Sequence, residues 1–118
     1  MSDLPVIRTA IPLRRYQIGP YVATLLGEIE SGDSQDYLFI LAFVEEGRGS
    51  PSLFLCCERN RLPVTEGGSL RMRIVNSSMS EVLEASDRWR EPETFAADAL
   101  EVGRSVLGLA SEQIFPLA

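Results

Sequence analysis

Two runs of this chain are apolar on consecutive residues: Tyr37-Leu38-Phe39-Ile40-Leu41-Ala42-Phe43-Val44 and Leu53-Phe54-Leu55-Cys56-Cys57. Successive side chains of a strand point to opposite faces, so strands with these sequences are apolar on both sides. Both sides then need cover. A helix over residues 93–109, roughly 25 Å long at the α-helical rise, covers one face of a small sheet and not two. The second face has to be closed by curvature of the sheet toward a barrel, by the terminal segments, by a second copy of the chain or by a ligand. Tyr37, Phe39, Phe43 and Phe54 are the large side chains that a self-association interface on these strands would bury.

The rest of the sequence supplies the frame. Pro5, Pro12 and Pro20 exclude a long helix from the first twenty residues and leave extended pieces at 6–11 and 13–18. Residues 21–30 carry Val22, Leu25, Leu26 and Ile29. The turn chemistry of Ser31-Gly32-Asp33-Ser34-Gln35-Asp36 then leads into 37–46, a hairpin pattern. Gly47-Arg48-Gly49-Ser50-Pro51 turns into 52–59, and 63–69, with Gly67-Gly68, turns into 70–75. Four such strands make an antiparallel meander. Residues 81–86 fit either a fifth strand or a first helical turn, and we read them as a strand.

From residue 93 the period changes. Phe95, Ala99, Val102, Val106 and Leu109 fall on one helical stripe with Leu100 and Leu107 beside it, which predicts Phe95, Leu100, Val106 and Leu107 as core. Pro92 suits the first turn and Gly108 the stop. The tail, with Ile114, Phe115 and Leu117, is apolar enough to dock back. The expectation is a single α+β domain over residues 1–118: an antiparallel β-meander sheet of four to seven strands, open or curled toward a barrel, with one C-terminal helix packed on it.

Composition narrows the chemistry. The chain has no His, and all 11 of its basic residues are Arg. This removes a His general base or metal ligand, a Ser-His or Cys-His pair, a Schiff-base Lys and a phosphate-loop Lys. Against 17 Asp and Glu the net charge is -6, a field that repels a nucleic-acid backbone. Residues 1–15 hold no apolar run of signal-peptide length, and the longest such run, 37–44, is far short of the ~20 residues of a membrane helix. A cytoplasmic protein with no membrane and no nucleic-acid partner is expected.

Few residues suggest a site. Cys56 and Cys57 should project to opposite faces of one strand, too strained for a disulfide and too few for zinc, so they read as small buried hydrophobes. Arg59 and Arg61, and Arg71 and Arg73, sit two apart on strands that should pair. A register matching 59 with 73 sets like charges opposite each other. An odd pairing sum instead joins Leu55 and Cys57 to Met72 and Ile74 and brings Glu58 near Arg71. Salt-bridged Arg is therefore favoured over an anion site, and Arg59, Arg71 and Arg73 are the ligand-binding candidates if one exists. Asp87 reads as a helix cap and Trp89, the one Trp, as an anchor. No catalytic residue, metal ligand or cofactor is predicted.

These features point to a non-enzymatic protein-interaction or accessory domain, chaperone- or inhibitor-like in composition, that self-associates as a homodimer, with a basic protein as a candidate partner. The alternative is a carrier that holds an apolar or anionic small molecule between sheet and helix, anchored by Arg71 or Arg73.

Overall fold

The computed structural model describes residues 4–60 and 68–117. Seven strands form one antiparallel sheet: β1 (Ile7–Ile18), β2 (Tyr21–Ser31), β3 (Tyr37–Glu45), β4 (Leu53–Arg59), β5 (Leu70–Asn76), β6 (Met79–Ser86) and β7 (Ile114–Leu117). A 3-10 turn, Arg88–Arg90, leads into the helix α1 (Pro92–Val106) between β6 and β7. Their order in the sheet is β6-β5-β4-β3-β2-β1-β7. It is a meander with its last strand added beside its first, and it stays open. Residues 81–86 are part of β6, as the strand reading required. The extended pieces 6–11 and 13–18 join into one strand through Pro12, which opposes Leu26. The tail docks as expected, and does so as a strand: Gln17 opposes Phe115 and Ile18 opposes Ile114.

Leu55 pairs with Ile74, Cys57 with Met72 and Glu58 with Arg71. This is the odd-sum register, chosen because it buries the apolar residues together and sets a carboxylate against a guanidinium. Arg61 and the turn residues 63–67 lie outside the described residues.

One face of the sheet packs on α1. Phe39 stacks on Phe95 with ring centroids 6.0 Å apart, and Trp89 meets Phe95 edge-on at 6.2 Å. Phe95, Ala96, Ala99, Leu100 and Gly103 are the buried helix residues. A Cβ at Gly103 would overlap the Phe43 ring, so glycine here sets how closely helix and sheet approach. Val106, expected in the core, is 49% exposed. The helix has reached the rim of the sheet by its last turn, and the stripe continues inward only through half-buried Leu107 and buried Leu109. Gly108, at φ +72, makes that reversal and stops the helix. Asp87 does not cap it: the carboxylate accepts from the N–H and hydroxyl of Ser69 at 2.8 and 2.6 Å. Trp89 is the anchor, fully buried, its Nε1 donating to Asp98 at 2.7 Å.

The other face carries Tyr37, Ile40, Ala42, Phe54, Cys56 and Val75, all buried, with Ile7, Leu26 and Ile29 packed against them. Ile7 and Ile29 belong to the outer half of the β1–β2 hairpin, where register shifts in β1 and a left-handed Glu28 (φ 47) make the strands irregular. The chain closes its own second face.

Candidate functional site on the sheet face opposite the helix

At one end of this second face the apolar cluster gives way to a buried polar chain. Glu58, with no side-chain exposure, accepts on Oε1 from Arg71 Nε and Arg73 Nε, both at 2.9 Å. Arg73 donates further to Ser80 Oγ at 3.0 Å and to the Tyr37 hydroxyl at 3.1 Å. Tyr37 donates to Asp33 Oδ2 at 2.9 Å, and the same oxygen accepts from the Val6 N–H at 3.0 Å. The relay runs from β5 through β4 and β3 to the β2–β3 turn and ends on the N-terminal segment. Glu58 Oε2 is buried without a hydrogen-bond partner among the described residues.

The protonation states follow from these contacts. Burial opposes the charge on Arg73, but the hydrogen bond and charge of Glu58 more than offset it and hold the guanidinium protonated. Burial pushes the Tyr37 hydroxyl well above its ordinary range, and its bond to Asp33 adds to the effect. Burial would raise the Asp33 carboxyl too, yet the Val6 and Gln35 N–H groups, Tyr37 and Arg73 together hold it below its usual value. Burial lifts both thiols, Cys56 and Cys57, up to about 12. They are free, and they belong to the clusters on opposite faces.

Two clefts flank the N-terminal segment on this face. One, of about 200 Å³, is lined by Leu4, Val6, Asp33, Gln35, Tyr37 and Arg73. The other, of about 440 Å³, is lined by Leu4, Arg48, Pro51, Phe54 and Ser77 among others. Leu4 is a wall of both, so the segment lies across the face as a bar.

The predicted site residues separate under this geometry. Arg71 and Arg73 do come together, on Glu58. Arg59 is apart from them, exposed and paired with Asp36 at 2.9 Å. Tyr37 and Phe54 lie beneath the N-terminal segment, whereas Phe39 and Phe43 lie beneath the helix, and all four are buried within the single chain. None is a surface residue. Trp89, Phe95, Phe39 and Phe43 fill the space between sheet and helix, and both clefts open on the opposite face. Sequence reasoning missed Asp33 and the hydroxyl of Tyr37. The signal available was an Asp in a turn two residues before a Gln, where its carboxylate caps the Gln35 N–H at 3.0 Å.

Among the described residues no helix is long and apolar enough to cross a membrane, and no three His, Cys, Asp or Glu side chains group to hold a metal ion. Comparison with protein-family models, characterised proteins and solved structures found no match to this chain.

Proposed function

We propose that this chain is a non-enzymatic interaction domain of the cytoplasm that self-associates through the sheet face opposite its helix. The observation that carries the reading is the cover on that face. The apolar cluster there packs against Ile7, Leu26 and Ile29 of one irregular hairpin, with clefts of about 440 and 200 Å³ on either side of Leu4. A face held shut by so little is one that a second chain can reach.

Against an enzyme stand the states of the reactive groups: both thiols are neutral at physiological pH, and Glu58 engages the Nε–H of Arg71 and of buried Arg73. Two free, buried cysteines suit a reducing compartment. Glu28, Glu30 and Glu81 are exposed without an ion pair among the described residues, which supports a basic protein as a further partner. Light scattering on a size-exclusion column across a dilution series tests the reading. A mass rising from one chain toward two with concentration is expected. One-chain mass at every concentration would overturn it and turn attention to a small ligand in the larger cleft.

A further inference from the structure

We infer that two copies of this chain pair by exchanging their N-terminal arms, residues 4–12, each arm lying on β2 of the other copy. This inference rests on the self-association proposed above. β1 is two strands in one. Its inner half is locked, residues 15–18 pairing with β2 on one side and β7 on the other, and Ile18 is fully buried. Its outer half pairs on one side alone, through register shifts at Ile7/Thr9 and Thr9/Ile11, and no residue from 4 to 12 is fully buried. The joint between the halves is Pro12, which has no N–H to give to the ladder, followed by a third register shift before Arg14. One register shift and an absent donor thus fall together at the place where the strand would have to open.

The arm is tied along the β2 ladder, Ile7 opposite Ser31, Thr9 opposite Glu30 and Ile11 opposite Gly27. Beyond the ladder, Val6 N–H donates to Asp33, Gly32 N–H donates to the Val6 carbonyl at 2.7 Å, and Ile7 packs on the cluster of the second face. Exchange remakes every one of them between copies, so the occupant that fits the vacated face is the arm of a second copy. Charge agrees: the only charged side chain on the arm is Arg8, without an ion pair among the described residues, while the adjoining β2 segment carries Glu28 and Glu30 and the turn after it carries Asp33. Of the predicted interface residues, Tyr37 and Phe54 would then meet another chain, whereas Phe39 and Phe43 would stay under the helix.

A designed disulfide reads the exchange directly. A Cβ built at Gly32 lies 3.7 Å from the Val6 Cβ, within the separation a disulfide spans. Chains carrying Val6→Cys and chains carrying Gly32→Cys, refolded together and oxidised at micromolar concentration, should give a covalent dimer joined at those two positions, identified by peptide mass. Neither chain alone should give that link. In the V6C/G32C double variant the bond should likewise run between chains. A dimer by light scattering whose double variant closes only within each chain overturns the exchange and leaves self-association standing. A monomer with bonds only within chains overturns both. On the unmodified chain, isotope-filtered spectra of mixed labelled and unlabelled copies should show contacts between Ile7 of one and the Tyr37, Ile40 and Phe54 cluster of the other. A dimer without such contacts contradicts the exchange whatever the variants do.

Discussion

Arg73 donates its Nε–H to Glu58 Oε1 at 2.9 Å across neighbouring strands, in a place where the arginine side chain is 8% exposed and the carboxylate not at all. The same oxygen serves Arg71. A buried ion pair is a poor source of net stability, because desolvating two charges offsets most of their attraction, but breaking one leaves an uncompensated charge. Glu58→Gln is expected to lose about 3–5 kcal/mol in urea denaturation, since two guanidinium groups would share a pocket without a carboxylate. Replacing Glu58, Arg71 and Arg73 together by apolar residues of similar volume should cost far less. An unchanged midpoint for Glu58→Gln would show that the trio is not closed to water.

The thiols make a second prediction, with a definite pH sign. Burial raises Cys56 and Cys57 from an ordinary value of 9.0 to about 12, so between those limits the unfolded chain has lost protons that the folded chain retains. Their contribution to stability is constant below pH 9 and is lost as pH rises from there toward 12. Native protein at pH 8 should react slowly with a colorimetric disulfide reagent and completely once unfolded. Rapid labelling of either thiol in the folded state would contradict their burial and reopen an enzymatic role.

Along the helix, Phe95→Ala should cost about 3–5 kcal/mol and Val106→Ala less than about 0.5 kcal/mol, because the first empties a site between Phe39 and Trp89 and the second trims a side chain at the rim. Denaturation midpoints measure both. Equal effects would mean that the helix ends differently on the sheet.

Gly103→Ala sets two effects against each other. Alanine gains about 1 kcal/mol in helix propensity, while its methyl enters the Phe43 ring, and overpacking a core costs about 1–3 kcal/mol. A net loss of up to about 2 kcal/mol is expected, with Phe43→Leu partly restoring the double variant. A raised midpoint for the single substitution would show that the ring can move aside.

How much of this was legible in the sequence depends on range. The meander, the register of β4 against β5 and the start of the helix are local or nearest-neighbour matters, where periodicity and the sign of facing charges decide. The non-alternating strands correctly announced two faces in need of cover. What covers each is a long-range question, and a pattern of apolar positions marks the demand without naming the supplier. Residues 4–7 reach the Tyr37 and Phe54 side because β1 and β2 are longer than their neighbours and irregular in register, and no composition rule reports that. The relay from Glu58 to Asp33 escaped for the same reason. Its members stand on three strands and a turn, and within an apolar run the ring of Tyr37 outweighs its hydroxyl. Val106 lies on the helical stripe yet at the rim, because a stripe does not say where the sheet beneath it ends.

Sedimentation equilibrium at low and at high ionic strength tests the central claim, that this face joins two copies, most directly. The arm and the face beneath it are mainly apolar, and the -6 charge on each chain is screened within about 10 Å at 0.1 M salt. A dimer at micromolar concentration that persists as salt is raised is therefore expected. A 13.0 kDa monomer under both conditions would contradict it.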